Sequence, residues 1–115
     1  MEEFITELER VRSNVRILES LAKRPGRHVD TQITTYRKLI RQNIEALDDI
    51  WHKMKDRIER SKENNHYLDM IKDNIEDLQG KEAAGKFSDM VPTIQECMNY
   101  HKRIIFKAVA PKLDI

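Results

Sequence analysis

A chain of 115 residues with 36% charged and 39% hydrophobic residues, but only 3 Gly and 3 Pro, has room for one core and the profile of long solvent-exposed helices, not strands. Its net charge of +1, from 21 basic and 20 acidic residues, excludes a global field toward nucleic acid or an anionic surface, so such attraction must come from local clusters. No run of about 18 apolar residues is present to span a bilayer, "MEEFITELER" lacks the apolar core of a signal peptide, and the lone Cys97 has no intramolecular partner. An intracellular, cytoplasmic or nuclear, location with no membrane contact is the natural expectation.

In the first segment Phe4, Leu8, Val11, Val15, Leu18 and Ala22 follow one another in alternating steps of four and three, a single helical stripe that Ile5, Ile17 and Leu21 widen. Pro25 and Gly26 end it, because proline disfavours helical geometry at the preceding residue and glycine accepts a sharp exit. The first helix is expected over residues 3–24.

From Arg27 to Gln79 there is neither Gly nor Pro. With Ile33 at position a of a heptad, the a sites read Ile33, Ile40, Leu47, Met54, Ser61, Leu68 and Ile75, and the d sites Tyr36, Asn43, Ile50, Arg57, Asn64, Ile71 and Leu78. The polar exceptions crowd the middle, around "SKENNHY" (residues 61–67). Capped by Asp30 or Thr31 and ended at Gly80, an unbroken helix would be about 50 residues or roughly 75 Å long. The two flanking helices, 3–24 and 82–110, together match that length. Each would fold back along one half of the long helix, their free ends meeting opposite the polar segment. This reading predicts an all-α helical bundle or coiled coil with a long central helix over 30–79. The rival reading breaks the helix near Asn64 and Asn65, residues tolerant of left-handed geometry, and makes four helices.

In the last stretch Phe87, Val91, Ile94, Met98, Ile105 and Val109 form the predicted stripe, with His101 between Met98 and Ile105. Ser88 or Asp89 is placed to cap a helix whose first turn contains Pro92. Pro111 ends it, and the unfinished look of "KLDI" raises the expectation that this single all-helical domain, residues 1–115, continues in a longer protein.

Under the long-helix reading two hairpins leave Leu39, Ile44, Trp51, Ile58, Ile104 and Phe106 as surplus apolar surface. Leaving such side chains wet forgoes about 1.5–3 kcal/mol each, so they are expected to form an interface with a second copy or a helical partner protein. Tied to the rival reading is the alternative that they complete an intramolecular core.

Sites of chemistry are few. Glu63 and His66 have the spacing of a di-iron ligand pair, but the second pair and further inward glutamates are missing. Cys97 and His101 lie one helical turn apart, yet zinc wants four ligands, and a buried thiol beside a hydrogen-bonded histidine is the better reading. His52 follows Asp48 by four residues, a surface pairing. No phosphate loop or nucleophile signature occurs, so neither enzymatic activity nor a cofactor or metal is expected. A basic cluster comprises Lys23, Arg24, Arg27, His28, Arg37, Lys38 and Arg41, and could meet phosphates or an acidic partner. Its acidic counterpart is Asp69, Asp73, Glu76 and Asp77. Arg57 and Asn64, polar at seam positions, have the look of register-fixing residues.

The function expected from these features is a non-enzymatic helical protein–protein interaction and oligomerisation module, a homodimer or scaffold in a larger intracellular assembly. The alternative is a nucleic-acid-associated helical structural protein, Gag-like or chromosome-associated, that uses residues 23–41.

Overall fold

The structure, a computed structural model, describes residues 2–24 and 26–107, the side chains of Arg27 and His28 excepted. Four helices account for most of it: α1 (Glu2–Ala22), α2 (Arg27–Met54), α3 (Lys62–Ala83) and α4 (Met90–Arg103). Each packs against its neighbours in chain order, and α4 closes on α1, while the diagonal pairs make no contact. The all-α bundle is therefore present, as an antiparallel ring of four helices. Its core takes much of the predicted stripes: Phe4, Leu8, Val11 and Val15 from α1, Ile40, Leu47 and Met54 from α2, Ile71, Ile75 and Leu78 from α3, and Ile94 and Met98 from α4, where Met90, outside the predicted stripe, joins them.

The long central helix over 30–79 is not formed. α2 stops at Met54 in a turn where the amide of Arg57 donates to the Met54 carbonyl at 2.9 Å, and α3 begins at Lys62. Ser61 is extended and its hydroxyl accepts the Asn64 amide at 3.0 Å, which satisfies one of the amides a helix start leaves unpaired. "SKENNHY" is thus a helix cap and its first turn. The break lies before Asn64, and no described residue other than glycine has a positive φ, so left-handed asparagine is not its device.

What holds the break open is a contact distant in sequence. Ile58 pairs with Phe106 as an isolated antiparallel bridge, with Glu59 donating to the Ile105 carbonyl at 3.1 Å and Lys107 to the Arg57 carbonyl at 2.8 Å. Asn64, 2% exposed, completes it. Its Nδ2 donates to the carbonyls of Glu59 and Ile105 at 2.6 and 3.0 Å, and its Oδ1 accepts the Ile105 amide at 3.0 Å. Residues 104–107 are therefore extended, and α4 ends at Arg103 instead of running on as expected; Val109 and Pro111 lie outside the described residues. Ile105, predicted in the core, is 61% exposed, and Ile104 is buried in its place.

Other helix ends also differ from expectation. α2 starts at Arg27 with Gly26 as its cap, ahead of Asp30 and Thr31. Gly80 stays helical, and α3 ends at Ala83 with Gly85 at φ 71°. There Lys86 donates to the Lys81 carbonyl at 2.8 Å and Gly85 to that of Glu82 at 3.1 Å, a Schellman closure that requires the left-handed glycine.

The ring is staggered. Arg41 of α2 meets Glu82 at the end of α3, so the α2 residues before it run past α3 by roughly 20 Å at 1.5 Å per residue. No described side chain between Val29 and Leu39 is fully buried. The body measures 62 × 33 × 18 Å with a radius of gyration of 16.7 Å. A compact chain of this size has about 13 Å.

Candidate interaction surface

Most of the apolar residues expected at an interface lie in the chain's own core. Ile44, Trp51, Ile58 and Ile104 are buried, and Phe106 is half-buried against the same cluster. The physical reason is the break at 55–61, which lets α3 return along α2 and cover its flank, while the segment after α4 closes on Ile58. Trp51 shows this directly: its indole N–H donates to the Leu68 carbonyl at 2.9 Å, and the Lys55 and Lys72 ammoniums lie 5.0 Å from its ring. Of the six residues only Leu39, 37% exposed, remains on the surface.

Leu39 has a companion. Asn14 of α1 donates to Asn43 of α2 at 2.8 Å across the hairpin. Ile17 lies three residues after Asn14 and Leu39 four before Asn43, so on antiparallel helices both sit one turn nearer the hairpin tip. Ile17 is 36% exposed. Its neighbours one turn away, Ser13 and Ser20, and those of Leu39, Thr35 and Gln42, are exposed and uncharged. Below the pair the seam is polar, since Asn43 also donates to Glu7 at 3.1 Å and Glu7 is held by Arg10.

The basic residues gather at the same projecting end. Lys23 and Arg24 are exposed after α1, and Arg37, Lys38 and Arg41 are exposed on α2, where they line one groove of about 430 Å³ with Thr34. The Arg27 side chain and that of His28 lie outside the described residues. Two of the cations are already engaged: the Arg37 guanidinium lies 5.3 Å from the Phe87 ring centroid, and Arg41 pairs with the buried Glu82 at 3.0 Å. A second groove of about 280 Å³ lies beside Phe87, lined by Leu18, Ala22, Lys23, Gly85 and Ser88. The acidic Asp69, Asp73 and Glu76 are exposed on α3. Asp77 is pulled below the ordinary carboxylate range, chiefly by its hydrogen bond from Lys81 and then by that from Thr93.

The residues weighed for metal or catalytic chemistry are dispersed. Glu63 and His66 are both exposed, and His52 meets Asp48 at 3.6 Å on the surface, where Asp48 also takes Lys72. Cys97 is fully buried and its thiol is pushed up to about 12 by desolvation and, second, by Glu96. His101 is buried and stacks on Phe4 at 5.3 Å between centroids, with Phe106 at 5.5 Å. Among the described residues no group of three or more His, Cys, Asp or Glu is placed to hold a metal ion, and no helix is long and apolar enough to cross a membrane.

Sequence reasoning missed Glu82 and Phe87 as anchors for the basic groove. Phe87 was legible as an apolar residue just ahead of a helix, but its meeting with Arg37 depends on the stagger. No family model, curated protein or solved structure matches the chain.

Proposed function

We propose that this chain is a non-enzymatic helical interaction module in a larger assembly, whose four helices close their own core and whose projecting α1–α2 hairpin is left for partners. The observation that carries this reading is the Ile17–Leu39 pair, two large apolar side chains that both stay exposed one turn beyond the Asn14–Asn43 hydrogen bond of the hairpin. Its uncharged surround also suits self-association. A two-fold interface sets a patch against itself, and Ser13, Ser20, Thr35 and Gln42 bring no like charges together. The patch is well short of the roughly 800 Å² per partner of a stable complex, so pairing of two copies is weak and reversible unless other contacts add to it.

Light scattering coupled to size exclusion tests this over a range of protein concentrations. The mass should rise with concentration in the native chain and stay at that of a monomer in the Ile17→Ser, Leu39→Ser double variant, with no loss of thermal stability. A native chain that remains monomeric throughout would remove self-association from the reading.

A second reading, association with nucleic acid, draws support from the groove that Arg37, Lys38 and Arg41 share. It is weakened by the engagement of Arg37 and Arg41 within the fold and by the lack of base-stacking aromatics among them. Filter binding with RNA and DNA at two salt concentrations distinguishes it, since phosphate contacts give an affinity that falls steeply with salt.

A further inference from the structure

Where the α1–α2 hairpin overshoots the α3–α4 turn, it leaves a notch. Its floor is the loop over residues 84–89, and its wall is the inward stripe of the hairpin. That stripe runs on past the end of α3 at Ala22, Val29 and Ile33, none of which is fully buried. The groove beside Phe87 gives the notch an apolar corner formed by Leu18, Ala22 and Phe87. Around it basic residues outnumber acidic ones. Among the described residues no ion pair holds Lys23, Arg24 or Lys38, and Arg37 and Arg41 keep exposed guanidiniums whose orientation Phe87 and Glu82 set. A guanidinium already oriented loses less freedom when an anion arrives. The acidic residues nearby are fewer: Glu82 is engaged by Arg41, Glu19 lines the same corner as Lys23, and Asp30 on α2 and Asp89 in the floor loop are exposed.

We propose, resting on the interaction-module reading, that this notch binds an acidic segment of a partner protein, with one large apolar side chain seated against Phe87 and carboxylates on Lys23, Arg37 and Lys38. Charge complementarity selects this occupant. A second copy docking through the same notch would set Lys23, Arg24 and Lys38 against their equivalents, which like-charge repulsion opposes. The acidic face of α3 in another copy, Asp69, Asp73 and Glu76, has only the half-buried Met70 beside it as an anchor. A nucleic acid would use the cations but leave the apolar corner unfilled.

The test uses the full chain and four fluorescent probes: a short Glu/Asp peptide with Phe and Leu at its centre, the same peptide with Ser in their place, a single-stranded RNA and a duplex DNA. The anchored peptide should bind with a Kd of about 10–100 μM and the Ser peptide about tenfold more weakly. Binding should weaken as salt rises. In an amide spectrum of the protein, Lys23, Gly85, Phe87 and Lys38 should shift. The Lys23→Glu, Lys38→Glu double variant alters exposed side chains that the fold does not use. It should lose the acidic peptide by about tenfold or more and gain a charge-reversed Lys/Arg peptide with the same anchor. No saturation by about 1 mM, equal binding of the two acidic peptides, or tighter binding of RNA or DNA would overturn the proposal. Because the Ile17–Leu39 seam lies on the outer side of the hairpin, mass that still rises with concentration would leave the module reading standing if the notch fails. A notch that binds while the mass stays constant would remove self-association alone.

Discussion

Asn64 and Ile105 exchange two hydrogen bonds, the Asn64 Nδ2 donating to the Ile105 carbonyl and its Oδ1 accepting the Ile105 amide, both at 3.0 Å. A side-chain amide thus stands in for a strand neighbour, and it ties the α2–α3 turn to the exit of α4 across 41 positions.

Asn64→Ala should cost about 1–3 kcal/mol in urea unfolding, because three hydrogen bonds of a buried side chain are lost and the part-buried Ile105 amide loses its partner. Asn64→Asp should cost more, since a carboxylate would then face the carbonyls of Glu59 and Ile105. Amide exchange at Ile105 and Lys107 should quicken before that of the helix interiors, showing that the exit segment opens first.

Trp51 is the only tryptophan and joins α2 to the start of α3. Replacing it with Phe removes the bond to the Leu68 carbonyl and should cost about 1 kcal/mol, whereas Trp51→Ala should cost about 3–5 kcal/mol by adding a cavity. Its fluorescence should be blue-shifted in the native chain and move to the red in the same transition as the helical signal. Separate transitions would show that the two hairpins unfold independently.

Glu82 is buried while the Arg41 side chain is 63% exposed, so their pair is unequal. Arg41→Ala should destabilise by about 1–2 kcal/mol, because it strands a carboxylate in the interior, with the attraction itself screened by solvent on the arginine side. Glu82→Gln should cost less. A double-mutant cycle on the two residues measures their coupling, and a value near zero would detach Arg41 from its structural role.

Cys97 places a limit on stability at high pH. Its thiol is raised from 9.0 in the unfolded chain to about 12 in the folded one, so the folded state holds its proton more tightly. The contribution is complete below pH 9 and is lost as pH climbs from there through about 12. Cys97→Ala should flatten the alkaline limb of a pH–stability curve. At pH 8 the raised value alone lowers the thiolate fraction roughly a thousandfold, so a thiol reagent should label the native chain only on unfolding. Fast labelling under native conditions would mean the helix α4 face is open.

Much of the fold is readable from spacing. The steps from Phe4 to Leu18, from Ile40 to Met54 and from Leu68 to Leu78 each place a stripe on a helix, and the apolar residues of those stripes are in the core. The helix breaks were less readable. Ser61 as a cap and the glycine at Gly85 are local signals, yet a polar a or d position has the same spelling in a turn as in the wet middle of a long helix. The apolar flank residues Ile44, Trp51 and Ile58 carried no mark of what would cover them. The basic residues 23–41 were visible as a cluster, but the stacking of Arg37 on Phe87 and the pairing of Arg41 with Glu82 required α3 to end just there.

By itself, then, the order of residues determined that this chain is helical, which face of each helix is apolar, and where charge of one sign collects, because these follow from side chains a few positions apart on a regular spiral. Tertiary structure alone decided that the middle segment bends, that its flank is covered from within, and that a hairpin is left projecting. Those outcomes depend on free energies of contact between residues such as Asn64 and Ile105, far apart in the chain, and no local pattern encodes which distant partner will arrive.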